Sequence, residues 1–325
     1  MIDGFGRSID YLRISVTDRC NLRCVYCMPP EGVEWMDHEE MLSYEEIIRL
    51  CSLFAQVGIR KVRLTGGEPL ARRDLPELVR GIHAIDGIES IALTTNGLLL
   101  QEQLPALLDA GLTAVNLSLD TLDQAQYAAI TRRDALDQAL SGLYAALEAP
   151  GLRVKLNCVP MGENDPQLVP LAALAREHDL AVRYIELMPI GLGGSLPRRS
   201  EEEVRAMLEA AFGPMTPCDE SLGAGPGHYF TIPGFRGKIG FISAMTHQFC
   251  DGCNRVRLTA TGFLKTCLQY ETGRDLRALL RDGSGDEVLL EAIRSAILHK
   301  PAQHHFLEAD GRREDERHNM HQIGG

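Results

Sequence analysis

Cys20-Asn21-Leu22-Arg23-Cys24-Val25-Tyr26-Cys27, near the amino terminus, places three thiols within eight residues. Thiolates are soft ligands that suit zinc or iron–sulfur clusters. A structural zinc site normally closes with four protein ligands, whereas three thiols without a nearby fourth suit a four-iron cluster with one open iron. An open iron can hold a substrate or cofactor, so this spacing favours a catalytic cluster over a zinc knuckle or buried apolar cysteines.

The composition is that of a soluble globular protein with a sizeable core. Of 325 residues, 45% are hydrophobic and 24% are charged. The formal net charge of −12 argues against a nucleic-acid-binding or membrane-surface protein. The chain shows neither a secretory signal segment nor an apolar run of membrane-spanning length, which predicts a cytoplasmic location. The nine cysteines therefore indicate metal binding or catalysis rather than disulfides.

Short apolar segments alternate with amphipathic ones over the first two-thirds of the chain, which predicts about six strand–helix units. The predicted strands are Tyr11–Val16, Lys61–Leu64, Ser90–Thr94, Ala114–Leu119, Arg153–Val159 and Val182–Leu187. A closed barrel needs about eight units, so we expect an α/β fold with an incomplete (β/α)6 barrel of the TIM type. The site should then lie at the carboxyl ends of the strands.

A stretch rich in proline and glycine at residues 213–227 predicts a domain boundary. We therefore expect a barrel domain over residues 1–215 and a C-terminal extension over residues 216–325. The extension contains a second set of three thiols, Cys250, Cys253 and Cys267. His247 is close enough in sequence to complete a zinc site with them, so a zinc ribbon competes with a second iron–sulfur cluster. The other cysteines are scattered singly and are expected to be core or surface thiols: Cys51, Cys158 and Cys218.

Polar motifs follow several of the predicted strands. Thr65-Gly66-Gly67-Glu68-Pro69-Leu70 contains glycines that let the backbone approach a ligand closely, although a purely structural turn explains it equally well. Thr94 and Ser118 supply hydroxyl groups at the ends of the third and fourth strands, where capping of the next helix is the alternative role.

Charged residues also occur inside predicted strands. Lys155 and Arg183 are costly there unless their charges are paired or reach a polar cavity, and the alternative is a solvent-facing edge. Arg255 and Arg257 alternate, so on an extended segment they would point to one face. For any single arginine, a solvated surface position is the competing interpretation.

The first cysteine loop, with an aromatic residue before its third cysteine, resembles the signature of radical S-adenosylmethionine (SAM) enzymes. The Gly-Gly-Glu-Pro sequence at residues 66–69 resembles a second motif of that family. The resemblance implies that Cys20, Cys24 and Cys27 hold a [4Fe-4S] cluster that cleaves bound SAM to methionine and a 5′-deoxyadenosyl radical. It also implies the residues that line SAM: Tyr26, Gly67, Glu68, Ser118 and Met188.

The two three-thiol sets, the Cys-Asn-Arg-Val-Arg sequence at residues 253–257 and the terminal Gly324-Gly325 narrow the resemblance to the GTP 3′,8-cyclases of molybdenum cofactor biosynthesis. That family implies that Cys250, Cys253 and Cys267 hold a second [4Fe-4S] cluster, whose open iron takes the guanine base of GTP. The adenosyl radical would remove hydrogen from ribose C3′, and C3′ would then bond to C8. The terminal glycines are expected to reach into the active site and assist the chemistry.

A triphosphate requires several cations in the cavity of this acidic protein. By resemblance, Thr94 faces the substrate and Arg13 counts as both a catalytic and a substrate-binding residue. The basic substrate-binding positions implied by the family are Arg13, Lys61, Arg63, Lys155, Arg183, Arg255 and Arg257.

The resemblance also implies partners. They are cyclic pyranopterin monophosphate synthase as the next enzyme, an electron donor such as a flavodoxin or ferredoxin, and a second copy of the chain in a homodimer. Two alternatives remain at this point: another twin-cluster radical SAM enzyme, such as a peptide-modifying one, and a non-catalytic iron–sulfur or zinc protein. The peptide-modifying enzymes typically have a longer cysteine-rich C-terminal region and lack the Cys-x-Arg-x-Arg sequence and the Gly-Gly end.

Overall fold

The structure is a computed structural model that describes residues 1–220, 222–306, 315–316 and 318–323. Its strands are β1 (Tyr11–Ser15), β2 (Lys61–Thr65), β3 (Ser90–Thr95), β4 (Ala114–Ser118), β5 (Arg153–Cys158), β6 (Ala181–Ile185), β7 (Thr216–Cys218), β8 (His228–Thr231), β9 (Lys238–Ile242), β10 (Arg255–Leu258), β11 (Phe263–Lys265) and β12 (Gly273–Asp275). Its α-helices are α1 (Tyr44–Gln56), α2 (Leu75–His83), α3 (Leu100–Asp109), α4 (Gln124–Thr131), α5 (Leu136–Glu148), α6 (Asp165–Glu177), α7 (Glu201–Phe212), α8 (Leu276–Arg281), α9 (Asp286–Leu298) and α10 (Met320–Ile323).

The strands form one sheet in the order β12-β11-β10-β1-β2-β3-β4-β5-β6-β9-β8-β7. Strands β1 to β6 are parallel neighbours in chain order, and each is followed by at least one helix before the next strand. This arrangement confirms the predicted incomplete α/β barrel.

The strands that follow α7 add to both edges of the barrel sheet. Strand β10 pairs in parallel with β1, and β9 pairs in parallel with β6. The outermost strands, β12, β11, β8 and β7, continue the sheet in antiparallel pairs. The division into a domain of residues 1–215 and an extension of residues 216–325 stays a prediction, since the sheet runs through both.

Side chains on each barrel strand alternate between the helix-covered core and the barrel interior. On β1, Leu12 and Ile14 are fully buried in the apolar core, whereas Tyr11 and Arg13 line an internal cavity. Helix α1 begins at a capping box formed by Ser43 and Glu46 and packs its apolar face into the same core.

The three cysteines outside the two thiol sets were expected to be core or surface thiols. Cys51 on α1 and Cys158 at the end of β5 are buried in the apolar core, and Cys218 on β7 is half-buried. Among the described residues, none of the helices combines the length and the apolar character needed to span a membrane.

Candidate active site

A cavity inside the barrel is lined by both three-thiol sets. Cys20, Cys24 and Cys27 follow the carboxyl end of β1, whereas Cys253 precedes the amino end of β10. Because β1 and β10 are parallel neighbours, the two sets lie towards opposite ends of the strands. Eleven other predicted site residues line the same cavity: Arg13, Tyr26, Arg63, Gly67, Glu68, Thr94, Ser118, Arg183, Met188, Arg255 and Arg257.

The first thiol loop is anchored on the end of β4 and on α4. The Tyr26 hydroxyl donates to the Asp120 carboxylate at 2.7 Å. The backbone amides of Arg23 and Val25 donate to carbonyl oxygens in the last turn of α4, at 2.9 and 3.0 Å. These contacts fix the loop in a position where its three sulfurs can face a shared ligand.

Burial raises the pKa of Cys20 to about 11, with a contribution from Glu68, and raises that of Cys27 to about 12. Thiols with such pKa values stay protonated at neutral pH unless a metal displaces the proton. The donor set therefore fits a metal site better than a free nucleophilic thiolate.

The spacing of the thiols also discriminates between zinc and a cluster. Four ligands around one zinc, with Zn–S bonds of about 2.3 Å, bring their sulfurs within about 4 Å of each other. In the described part of the chain, the one group of three or more potential metal ligands that lies within 4.8 Å is Glu271, Glu316 and His318. The sulfurs of neither thiol set all lie within this distance of one another, which leaves room for a polynuclear cluster. The candidate fourth ligand, His247, is exposed and lies beside Glu201 and Glu202 instead.

Glu68 organises the turn that follows β2. Its carboxylate accepts hydrogen bonds from the amides of Leu70 and Asn96 and from the Thr95 hydroxyl, at 2.7 to 3.0 Å. Burial raises the pKa of Glu68 to about 7. Both carboxylate oxygens are thus used to join the ends of β2 and β3, so Glu68 shapes this end of the cavity.

Gly67 is required where this turn meets the first thiol loop. A Cβ at this position would lie 2.4 Å from the carbonyl oxygen of Arg19 and 2.6 Å from that of Asp18. We expect Gly67→Ala to destabilise the protein by about 1–3 kcal/mol, because backbone atoms must move to relieve the overlap. The measurement is the thermal unfolding of the reconstituted protein together with its iron content, both of which should fall.

Gly285→Ala is the matched control, since its added Cβ would meet no atom within 4 Å. If Gly67→Ala has the same unfolding temperature and iron content as the control, the turn after β2 and the first thiol loop do not constrain each other.

A layer of arginines crosses the middle of the cavity. Arg257, Arg13 and Arg63 are register partners on β10, β1 and β2, which lie about 4.8 Å apart. Burial, together with the charge of Arg255, lowers the pKa of Arg257 to about 10. Burial and the neighbouring arginines likewise hold the pKa of Arg13 well below its usual value. Such a concentration of buried positive charge is chemically suited to an anion.

Two further basic side chains of the layer are oriented by polar neighbours. Arg63 donates to the Tyr11 hydroxyl and, at 3.2 Å, to the Thr94 hydroxyl. Arg183 donates from Nε to the Asn157 side-chain oxygen at 2.9 Å. Within the described residues neither guanidinium forms an ion pair with a carboxylate, so both keep their charge available for a ligand.

The cavity extends beyond the carboxyl ends of the strands, where the site is expected. Each of these arginines lines it and is the third residue of its strand. The barrel is incomplete, and its interior at this level holds charged side chains and a cavity instead of packed apolar layers.

Lys61 and Lys155 are predicted substrate residues that do not line the cavity. Lys61 forms an ion pair with Asp10 at 2.8 Å. Lys155 is buried and its Nζ lies beside Gly223. Burial and the charges of Arg183 and Arg63 lower the pKa of Lys155 to about 7. Their roles in substrate binding stay predictions.

Several lining residues were not predicted from the sequence. Asp120 lies two residues after the end of β4 and Glu186 directly follows β6, so the strand pattern could have identified them. Lys300, His304 and His321 come from distant parts of the chain and carry no local signal.

The electrostatic surroundings of the second thiol set differ from those of the first. Burial opposes ionisation of Cys253, but the charges of Lys300 and Arg255 outweigh it and lower the pKa of Cys253 to about 7. Lys300 itself is buried and donates to the carbonyl oxygen of Thr266, next to Cys267. This end of the cavity is therefore suited to an anionic metal–thiolate group.

The last described helix, α10, reaches the first thiol loop. His321 is buried, and its Nδ1 lies 3.3 Å from the Cys27 carbonyl oxygen. The predicted Gly324-Gly325 end lies outside the described residues.

Comparisons with known sequences match both halves of the chain. The Radical SAM superfamily matches residues 14–175, and the family Molybdenum Cofactor Synthesis C matches residues 180–306. The GTP 3′,8-cyclase of Pelotomaculum thermopropionicum is 48% identical over the full length of both chains. That of Desulforamulus reducens is 45% identical over both full chains, and that of Listeria monocytogenes is 43% identical over 93% of this chain and 91% of the relative.

Solved structures show the same fold at low sequence identity. Streptococcus suis SuiB bound to S-adenosylmethionine is 15% identical, with a TM-score of 0.61 over 89% of this chain and 68% of SuiB. SuiB bound to precursor peptide SuiA is 14% identical, with a TM-score of 0.55 over 96% of this chain and 75% of SuiB. At this level of identity the likeness concerns the fold alone.

Proposed function

Since this chain belongs to the GTP 3′,8-cyclases of the radical SAM superfamily, we propose that its barrel cavity binds SAM at one end and GTP against a second cluster. The observation that supports this most directly is the cavity itself. It is lined by two separate three-thiol sets and, along the strands between them, by a layer of arginines. The family implies a [4Fe-4S] cluster and SAM, and the second cluster is our assignment.

When bound, the first cluster and SAM would supply the radical chemistry of the family, in which hydrogen is removed from ribose C3′ of GTP and C3′ bonds to C8 of guanine. The chain's own part is placement, because a radical reacts with the hydrogen that lies nearest. Cys20, Cys24 and Cys27 hold the first cluster, and the hydrogen bond from Tyr26 to Asp120 fixes their loop. Residues at the carboxyl ends of β2, β4 and β6 line the SAM pocket: Gly67, Glu68, Ser118 and Met188.

The arginine layer binds the triphosphate of GTP. Guanidinium groups donate in pairs to phosphate oxygens, and burial strengthens such hydrogen bonds. Arg13, Arg63 and Arg257 form the row across neighbouring strands, and Arg183 and Arg255 line the same cavity. The base then lies towards the second cluster, held by Cys250, Cys253 and Cys267.

Lys61, Lys155 and Thr94 complete the proposed substrate site. The pKa of Lys155, about 7 in the free protein, would rise beside a phosphate, so Lys155 would gain a proton when GTP binds. We further propose an electron donor such as a flavodoxin or ferredoxin, cyclic pyranopterin monophosphate synthase as the consumer of the product, and a homodimer.

A radical SAM enzyme that acts on a peptide is the alternative, since SuiB, which shares this fold, has been solved with S-adenosylmethionine and with the precursor peptide SuiA. Full-length identity of 41–48% to GTP 3′,8-cyclases favours the nucleotide substrate over that alternative. A non-catalytic zinc protein is disfavoured by the wide spacing of both thiol sets in the described chain.

The test is anaerobic turnover with SAM, a strong reductant and GTP deuterated at C3′. We expect deuterium in the 5′-deoxyadenosine and a cyclised GTP in equal amount. SAM cleavage without deuterium transfer would rule out C3′ as the site of abstraction. ATP labelled at the same carbon is the matched control, and its equal consumption would contradict recognition of guanine.

A further inference from the structure

The segment before β1 carries a buried ion pair that contacts the second thiol loop. The Arg7 Nε atom lies 2.6 Å from an Asp3 carboxylate oxygen. The same guanidinium donates to the carbonyl oxygen of Cys250 at 3.0 Å, and to those of Ala302 and Pro301, each at 2.7 Å. Arg7 therefore joins three separate stretches of chain at one point.

The Cys250 carbonyl oxygen is a constrained point in the second thiol loop. It accepts a hydrogen bond from the Cys253 amide at 3.1 Å, which closes the turn between the two cysteines. On the other side of the turn, the Asn254 side chain donates to Asp10 at 2.7 Å, and the Asn254 carbonyl accepts from the Tyr11 amide at 3.2 Å. The amino-terminal segment thus holds both ends of the turn.

Arg7 is also connected to the sulfur of Cys250 through the chain segment from Pro301 to His304. The chain that it binds at Pro301 and Ala302 continues to His304, whose backbone amide lies near enough to the Cys250 thiol group to oppose the rise in its pKa that burial causes. Hydrogen bonds to the sulfurs of an iron–sulfur cluster adjust its reduction potential and stability. A change at Arg7 would therefore affect both the turn and this donor.

The ion pair is deeply buried, with 8% of Arg7 and 5% of Asp3 exposed. Buried charges are tolerated when they are paired and hydrogen-bonded, and the Arg7 guanidinium donates four hydrogen bonds, one of them to Asp3. Burial opposes ionisation of Asp3, but hydrogen bonds from Arg7 and Phe5 keep its pKa below the usual value. The ion pair between Arg7 and Asp3 is therefore a buried structural contact and not a solvated surface contact.

We propose that Arg7, held by Asp3, is a positioning residue for the second cluster. It fixes the turn from Cys250 to Cys253 and places the His304 amide against the Cys250 sulfur. The inference rests on the proposed assignment of Cys250, Cys253 and Cys267 to a [4Fe-4S] cluster. The effect should be selective, since the first thiol loop is anchored by β4 and α4.

The test measures iron release to a chelator under anaerobic conditions, with bound SAM protecting the first cluster. In the wild type we expect about eight irons per chain, released in two phases of equal size. In Arg7→Gln the phase that belongs to the second cluster should be about 10- to 100-fold faster, the range typical for loss of an outer-sphere partner. The SAM-protected phase and the electron paramagnetic resonance (EPR) signal of the first cluster should not change.

Companion variants separate positioning from general stability. Arg7→Lys keeps the charge and part of the hydrogen bonding, so it should restore the slow release in part. Asp3→Asn should move the release rate in the same direction as Arg7→Gln. Arg80→Gln is the control, because Arg80 is an exposed arginine with two carboxylate partners, Glu77 and Asp109, and it should release iron as the wild type does.

The outcomes distinguish failure of the second-cluster assignment from failure of the role proposed for Arg7. About four irons in the wild type, all protected by SAM, would overturn the second cluster itself. Eight irons with unchanged release from both Arg7→Gln and Asp3→Asn would leave the second cluster in place and overturn the role of Arg7. Equal acceleration of both phases would also overturn it, since Arg7 would then stabilise the whole protein.

Discussion

A Cys24→Ala variant is expected to lose about half of its iron and all SAM cleavage, whereas Cys253→Ala loses the other half and still cleaves SAM. The reason is that the two thiol sets lie towards opposite ends of the barrel strands, on separate loops with separate supports. Removing one of three thiolates leaves too few ligands for a cluster but does not disturb the distant loop. The measurements are iron per chain and the yield of 5′-deoxyadenosine after anaerobic reconstitution.

The reaction products distinguish the role of the first cluster in SAM cleavage from the role of the second cluster in GTP binding. Cys253→Ala should form 5′-deoxyadenosine without cyclised GTP, because its substrate end is damaged while its radical-generating end is intact. Cys218→Ala is the matched control, a half-buried thiol on β7 that does not line the cavity. Full iron content in Cys253→Ala, or loss of SAM cleavage equal to that of Cys24→Ala, would contradict two independent clusters.

Arg257→Ala is expected to weaken GTP binding about 10- to 100-fold and to leave iron content unchanged. Arg257 is the β10 member of the buried row that also contains Arg13 and Arg63. A hydrogen bond to a charged group contributes about 1.5–3 kcal/mol, and the loss of one such bond to a phosphate corresponds to roughly this change in the dissociation constant. The measurement is the equilibrium dissociation constant of GTP for the oxidised protein, without turnover.

The same variant can locate the contact on the substrate. If Arg257 binds the triphosphate, guanosine should bind wild type and Arg257→Ala with similar affinity. An equal loss for guanosine would place Arg257 on the base or ribose instead. Arg80→Ala, which removes an exposed arginine outside the cavity, should bind both ligands as the wild type does.

Much of this protein could be predicted from local sequence patterns. The alternation of apolar and amphipathic segments predicted the six parallel strands of the barrel to within one or two residues at each end. The spacing of Cys20, Cys24 and Cys27 predicted a metal-binding loop, because ligands to one group must be close in the chain or brought close by a short turn. The alternation of Arg255 and Arg257 likewise predicted that both face one side of an extended segment, and both line the cavity.

Other features depended on contacts between distant residues. The hydrogen bond from Asn254 to Asp10 joins residues 244 apart in sequence, and no local pattern encodes it. That contact, with the parallel pairing of β10 and β1, sets the second thiol loop at the far end of the cavity and completes the arginine row.

Lys61 and Arg63 illustrate the difference between what the sequence determined and what the tertiary structure decided. They are two residues apart on β2 and looked equivalent in the sequence, yet Arg63 lines the cavity whereas Lys61 is paired with Asp10. The sequence by itself determined the chemistry that is present: two sets of thiols, strands with inward-facing charges, and the family. The tertiary structure decided which of those groups share one cavity, because a side chain's partners are set by strand register and by chain segments that meet only in the folded protein.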